Sequence, residues 1–600
     1  MTSGIVYPLA ICELAKAYEF KNIGGTSAGA IAASAAAAAE YGRGSHLRNP
    51  DSFEDLAKLP AWLGEKGRLL GMFKPDAEFA PLVEIIFPLL SKDNIFLKAA
   101  DFICAVLANF GAQLIILIAL FSQVHRFFPE DLPATAKWLV LLMECLCLAM
   151  VFFVLVGMEI IQLIKLLPAN GYGICSGFVP GIPGSSMEGP LTNWLTHYLN
   201  DLAGKPLSEG PLTFGDLYGV REPGIDQGAS GKNPGVINLE MISTALNLGR
   251  PYRLPFQAPN AHTFYFSLEE FSKLFPREVV DHMVRHAYKS KSPLPTTLDK
   301  LKLYGFPEAE NLPVIVATRM SLSFPLLLSA VPLHAVDRTL EENQGVDGAA
   351  CRAERCWFSD GGISSNFPIQ FFDVPIPMWP TFAINLKQFH PDYQNEEDAV
   401  WMPTKANSGW QVSWTRFTHT GISGMGEFLG AVVSSMQNWQ DNTQLSLPGY
   451  RDRVVHVSLH DDEGGLNLQM PPGKIDILSR RGKKAGEMLV QRFGTSPYTA
   501  WNEHQWIRFR SCMSVTVNWV NAVNDGYDSA TSSGESMKNI LARPEGPALK
   551  SYQLKANKLK NAQAYMNQFF TLSTQWREQG AGFQSKAPAP SPELRIKPRI

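Results

Sequence analysis

Two long apolar stretches constrain the fold of this 600-residue chain more than any other feature. The first runs from Phe102 to Phe121 (FICAVLANFGAQLIILIALF), broken only by Asn109 and Gln113. The second runs from Trp138 to Met158 (WLVLLMECLCLAMVFFVLVGM), with Glu144 as its sole charge. Each holds about the twenty residues a helix needs to cross a bilayer core. Between them HRFFPEDLPATAK is short, polar and proline-punctuated, which suits a turn at an interface. Two buried helices of a large soluble core are the alternative, but such helices usually carry a polar stripe or shorter apolar runs. The pattern therefore predicts a transmembrane hairpin over 93–167. Glu144 facing lipid at mid-bilayer would cost roughly 3 kcal/mol, so it is expected to face the other helix, where Asn109 and Gln113 are candidate partners, or to lie near an interface.

Two spans return the chain to the side it left, so residues before and after the hairpin share one compartment. Lys92, Lys98 and Lys165 flank the hairpin while Arg126 and Lys137 lie in its loop, a bias that leans toward a cytosolic globular part. The eight cysteines, at 12, 104, 145, 147, 175, 351, 356 and 512, form no CxxC framework. Free thiols in a reducing compartment are the simpler reading, although Cys351 and Cys356 are close enough in sequence for a disulfide. The N-terminus lacks the basic and apolar regions of a secretory signal, and carries Glu13, Lys16 and Glu19 at helical spacing. A net charge of −3 argues against a dedicated nucleic-acid binder, which would normally show a concentrated basic surface.

Outside the hairpin, helix and strand signals alternate, which predicts an α/β class. AYEFKNIGG reads as a strand and GGTSAGAIAASAAAAAE as a glycine turn opening an alanine-rich helix. GYGICSGFVPGIPGSSMEGP reads as a loop. GVINLEMIST and LPVIVATRMS read as buried strands, PTFAINLKQF and RVVHVSL as further strands, and GKKAGEMLVQRF and SYQLKANKLKNAQAYMNQFF as amphipathic helices. The expected organisation is a core in two parts, 1–92 and 168–390, with the hairpin at 93–167 inserted between them. A mixed, mainly helical extension at 391–585 and a flexible, proline-rich tail at 586–600 follow.

The strongest chemical signal is Gly25-Thr26-Ser27-Ala28-Gly29, a G-x-S-x-G match between the predicted strand and helix. A serine on a sharp strand-to-helix turn holds a strained backbone that exposes its hydroxyl, and small residues two positions either side let the chain pass without clashing. The helix that follows aims its positive end at the site, where it stabilises developing negative charge. A glycine-rich turn with an ordinary serine matches the same pattern. Serine also needs a base, and none of the twelve histidines has a persuasive setting. His456 and Asp461 form H-x-x-x-x-D inside a strand pattern, most simply a coincidence. His282 and His286, one helical turn apart, lack the third ligand of a metal site, and a solvated helix face is the plainer reading. A different base is Asp360 in CWFSDGGISSNFPI, where an aspartate at the end of an apolar strand is followed by Gly361 and Gly362. Alone it would be an Asp-Gly turn.

Gly-Thr-Ser-Ala-Gly followed far downstream by Asp-Gly-Gly, with Asn366 and Pro368 shortly after, resembles the patatin-like phospholipase family. LTFGDLYG (212–219) and ATRMSLSFPLLLSAV (317–331) resemble stretches of that family in the expected order, so the likeness covers about 1–40 and 190–385. The resemblance implies a three-layer α/β/α core and a Ser27–Asp360 dyad without histidine. Ser27 would attack an ester carbonyl, Asp360 would take its proton, and water would resolve the acyl-enzyme. It implies phospholipid or other acyl-lipid substrates at a bilayer, and no metal or organic cofactor.

The chain departs from the family at its start. Patatin-like proteins carry a glycine-rich oxyanion loop after a first strand, but here the chain opens Met1-Thr2-Ser3-Gly4-Ile5. Gly4 stands where the last glycine of that loop belongs, and the leading glycines and the strand are absent. An oxyanion donor is worth about 3–4 kcal/mol of barrier. The expectation is that Met1 is an internal methionine with further residues upstream. The rival expectations are a catalytically impaired patatin-like membrane scaffold, or a Ser-His-Asp esterase whose histidine is not evident.

Overall fold

The computed structural model describes residues 2–44, 48–65, 67–81, 83, 95–125, 133–181, 189–219, 236–257, 262–289, 302–344, 352–390, 392–403, 416–417, 420–460, 462–465, 467–494, 500–529, 534–543, 554–579 and 582–594. The chain is a mixed α/β protein that divides into two compact units. One comprises Met1–Pro368 with Leu459–Gly486, the other Ile369–Ser458 with Glu487–Ile600.

The first unit contains strands β1 (Asn22–Gly25), β2 (Gly173–Cys175), β3 (Asn238–Ala245), β4 (Arg250–Leu254), β5 (Phe264–Ser267), β6 (Leu303–Gly305), β7 (Leu326–Leu328), β8 (Val331–Val336) and β9 (Ala353–Asp360). Seven of them form one sheet in the order β1-β3-β9-β8-β5-β6, with β4 also paired to β3, while β2 and β7 make a separate parallel pair. Among the described residues β1–β3 is the parallel pairing of the large sheet; β3–β9, β8–β9, β5–β8 and β5–β6 are antiparallel. β3 is buried along nearly its whole length, whereas β1 lies at one end of the strand order and is largely exposed. The strand expected from AYEFKNIGG is thus confined to its last four residues, because Tyr7–Ala15 is helical and the chain turns before reaching the sheet.

The alanine-rich segment forms the helix Ala28–Gly44, packed on β1 and β3. LPVIVATRMS corrects the strand expectation, since Val314–Leu322 is a helix with every residue buried. A helix enclosed on all sides shows no polar face, so it has no 3.6-residue period, and Val314-Ile315-Val316 biases the reading toward strand. The expected loop after the hairpin contains strand β2. Leu459–Gly486, from what the sequence presents as an extension, belongs to this unit. The part of helix Pro472–Gly494 up to Gly486 lies directly on the N-terminal segment: a Cβ at Gly482 would fall 1.8 Å from the Val6 carbonyl oxygen, and one at Gly486 2.6 Å from that of Ala10. Nearby, Arg481 and Glu463 form a buried ion pair at 2.6 Å.

The apolar stretches form helices Ile95–His125 and Ala134–Leu166. At 1.5 Å per residue they are about 46 and 50 Å long, more than a hydrocarbon core of about 30 Å requires. Within them, 103–123 and 135–166 are long and apolar enough to cross a membrane, and only 17% and 11% of their most apolar windows are buried. The two helices touch through Val106, Phe110 and Leu117 on one and Phe152 and Val156 on the other. Glu144 lies half-buried, four residues before Leu148, on the stripe that continues through Phe152 and Val156, which agrees with the expectation that it faces the partner helix. Asn109 donates to the Ala105 carbonyl of its own helix.

The second unit holds strands β10 (Ala383–Gln388), β11 (Val400–Trp401) and β12 (Val454–Leu459), in the order β10-β12-β11, and the helices Gly421–Leu445, Ala500–Asp528 and Ala556–Glu578. Several of its buried charges are paired. Asp373 accepts from Arg453, Arg508 and the Tyr450 hydroxyl at 2.6–2.8 Å. His504 contacts Asp452 at 2.5 Å. Seven cysteines are free; Cys351 lies outside the described residues.

Candidate active site

Strands β1 and β9 flank β3 and run in opposite directions. β1 ends at Gly25, paired with Met241, and β9 ends at Asp360, paired with Ser243. Both chains therefore leave the sheet at nearly the same level of β3, and Ser27 and Asp360 meet there. The Ser27 hydroxyl donates to Asp360 Oδ2 at 2.7 Å.

Ser27 has φ of 56°. For a non-glycine residue that left-handed conformation costs on the order of 1–2 kcal/mol and persists only where its surroundings enforce it. Here Gly29 and Ala30 donate their backbone N–H groups to the Thr26 and Ser27 carbonyls, which starts the helix, and the Ser27 N–H donates to Ser321 Oγ at 3.4 Å. Gly25 is required by close approach, because a Cβ there would lie 2.2 Å from the Gly29 carbonyl oxygen. Gly29 differs from expectation: a Cβ there would meet nothing within 4 Å, so its smallness does not serve clearance.

Asp360 is buried and its second oxygen, Oδ1, accepts from the Gly362 N–H at 2.6 Å. Its backbone is held from three sides. The Asp360 N–H donates to the Ser323 carbonyl, the Thr244 hydroxyl donates to the Asp360 carbonyl, and the Ser359 hydroxyl donates to Ser323. Burial pushes the Asp360 carboxyl up to about 6, against the lowering effect of hydrogen bonds from Ser27 and Gly362. Both glycines after it are forced. A Cβ at Gly361 would fall 2.2 Å from the Ile242 carbonyl oxygen, and one at Gly362 2.5 Å from Asn366 Oδ1.

The Val314–Leu322 helix supports both sides of the pair. Thr318 and Ser34 share a 2.6 Å hydrogen bond that joins this helix to the one following Ser27. Arg319, wholly buried, donates to Ser323 Oγ and to the Ser176 and Ser329 carbonyls, and so fixes the turn whose carbonyl holds Asp360. Burial lowers the Arg319 guanidinium to about 10. Ser321, Ser323, Arg319 and Thr244 were not separable in the sequence from ordinary polar residues, because their roles depend on strands and helices far apart in the chain.

The N-terminal segment Thr2–Val6 is a 3-10 helix. It passes the elbow so closely that a Cβ at Gly4 would sit 3.0 Å from that of Ala28. Among the described residues no histidine hydrogen-bonds to Ser27 or Asp360, and no cluster of three metal-ligating side chains occurs. His282 bonds the Asn311 carbonyl and stacks on His286 at 4.2 Å, and burial lowers it to about 4. His456 is buried in β12 beside Asn385, and its sequence partner Asp461 lies outside the described residues.

Fold and site together define an α/β protein with a serine–carboxylate pair at a strand-to-helix elbow and a two-helix apolar insertion between its partners. No known family pattern and no solved structure matches the chain. It is 34% identical over 647 aligned positions to a protein of Rhizobium meliloti (strain 1021) named "RpoH suppressor", covering 100% of this chain and 97% of that one. The chain belongs to the family of that protein.

Proposed function

We propose that the protein is a membrane-associated serine acyl hydrolase of the patatin-like type, acting on phospholipids or other acyl lipids. The observation that carries this reading is the 2.7 Å bond from a serine in the left-handed conformation straight to a buried carboxylate. Asp360, ionised, takes the Ser27 proton as Oγ attacks the ester carbonyl. The backbone N–H of Ala28, first in its helix, faces the developing oxyanion, and the helix end adds its positive field. Collapse of the tetrahedral adduct breaks the ester C–O bond. The departing alkoxide receives the proton from Asp360 and leaves an acyl group on Ser27. Water, deprotonated by Asp360, then attacks the acyl carbonyl, the bond from Ser27 Oγ to the acyl carbon breaks, Asp360 returns the proton to Ser27, and a fatty acid leaves. Gly4, pressed against Ala28, is the position from which the resemblance supplies further oxyanion support.

The hairpin is proposed to cross the bilayer twice and to hold the globular part on the cytosolic side. Exposed apolar residues such as Ile115 and Trp138, about 70% accessible, support insertion, since their burial in lipid is worth roughly 1.5–3 kcal/mol each. The test is acyl release from a panel of phospholipids by the full-length protein, Ser27→Ala and Asp360→Asn. Release by the parent and none by either variant supports the dyad. No release by any form would instead favour a non-catalytic scaffold.

A further inference from the structure

The helix Gly421–Leu445 is turned inside out. Met425, Phe428, Leu429, Val432, Val433, Met436 and Trp439 recur at helical spacing, and all are exposed, Met436 to 72% and Trp439 to 64%. On a 100° per residue wheel they span an arc of about 140°. The opposite side carries Gly424, Glu427, Ala431 and Asn438, which are partly sheltered by the protein. The helix has two charged residues, Glu427 and Asp441; neither lies in the outward arc, and Asp441 is buried. A helix of a water-soluble surface has the reverse arrangement. Isolated exposed apolar side chains are ordinary, but seven on one uncharged face mark a contact surface.

We infer that this face lies in the interfacial region of a lipid bilayer, with the helix flat on the membrane. Two observations choose lipid over a protein partner. From Met425 to Trp439 the arc offers no charge or hydrogen-bonding side chain to fix a partner's register other than the Trp439 indole, Gln440 and Thr443 following only at its C-terminal end, and a tryptophan among aliphatic residues suits the headgroup boundary. The same chain also carries two helices whose outward surfaces are as apolar and as exposed, so the membrane they enter is the apolar phase at hand. For that second argument the inference rests on the hairpin reading above. Its consequence is a second, separate membrane attachment that belongs to the other unit of the chain.

The experiment reconstitutes the full-length protein in phosphatidylcholine vesicles containing a lipid with a photoactivatable diazirine in its acyl chain. Adducts are mapped by mass spectrometry, and aqueous peroxide is used in parallel to oxidise accessible methionines. The expected result is adducts on 425–439 and slow oxidation of Met436. In Val432→Asp/Met436→Asp the adducts on this helix should fall at least tenfold, while those on 103–123 and 135–166 persist. Adducts on the hairpin alone, with Met436 oxidised at the rate of a free peptide, would overturn the inference and leave the hairpin reading intact. Hairpin adducts with Met436 protected but unlabelled would overturn it in favour of a protein partner. Adducts on 425–439 alone would support it and remove the hairpin, and adducts on neither would defeat both.

Discussion

Around Ser27 each unusual backbone feature is met by a close neighbour, whereas along the hairpin most side chains stand clear of the protein. At the elbow, Gly25, Gly361 and Gly362 each approach another group to within a distance that forbids a side chain. Along 103–123 and 135–166 the clustered apolar contacts lie on one stripe per helix, and the remaining surface is mostly apolar and exposed. The elbow is specified by the protein itself, through polar bonds inside a sheet. The hairpin is specified by what surrounds it. Mutations should therefore act at the elbow through geometry, and in the hairpin through solvent.

The largest expected effect is at the pair. Ser27→Ala and Asp360→Asn should each lower acyl release on the order of 10³-fold or more without loss of fold, read by single-turnover kinetics beside circular dichroism. A variant that keeps near-parental activity would remove the dyad. Next is backbone clearance. Gly361→Ala places a Cβ 2.2 Å from the Ile242 carbonyl oxygen, and should destabilise the protein by about 1–3 kcal/mol and displace Asp360, seen as a lowered Tm and lost activity.

Asp360 also links the site to pH. Its carboxyl sits at about 6 in the folded chain against 3.8 for the ordinary group, so the folded protein binds a proton that the unfolded chain has lost across that window. Stability from this group is full below pH 3.8 and is lost as pH rises through about 6, a swing of about 3 kcal/mol at 1.36 kcal/mol per unit. Asp360→Asn, which carries no charge, should therefore raise Tm at pH 8, with the gain shrinking toward pH 4. If the proposed hydrolase chemistry holds, kcat/KM of the parent protein should climb with pH through about 6, because the proposed base acts ionised. A flat profile from pH 5 to 8 would mean that another group limits the reaction.

The smallest effect sharpens the contrast within the elbow motif. Gly29→Ala meets open space inside a helix, and should be neutral or stabilising by up to about 1 kcal/mol, whereas Gly25→Ala should not be tolerated. Equal damage from the two would show that chain clearance is not what the motif secures.

The site was legible in sequence where chemistry imposes spacing. Gly25, Ser27, Asp360 and Gly361 each stand out because a tight turn or close approach restricts the residue, and the structure brings the serine and the aspartate together. The supporting shell was not legible. Arg319 and Ser323 act through bonds to Ser176, Ser329 and Asp360, and no local pattern encodes contacts between elements so distant. The hairpin was legible from length and hydropathy alone, and helix Val314–Leu322 was not, since full burial erases the period that separates helix from strand. The outward stripe of Gly421–Leu445 was hidden for a different reason. Its amphipathic pattern is ordinary, and only the structure tells which face looks out.

The bond between Ser27 and Asp360 spans 333 residues of sequence, and both apolar helices lie within that interval. During synthesis at about 5–20 residues per second, roughly 20–70 s separate the emergence of the serine from that of the aspartate. Both helices have left the ribosome well before the pair can form. A chain that stops early, or is still being made, therefore holds its serine without the carboxylate partner. The order of translation places both apolar helices ahead of the completed serine–carboxylate pair.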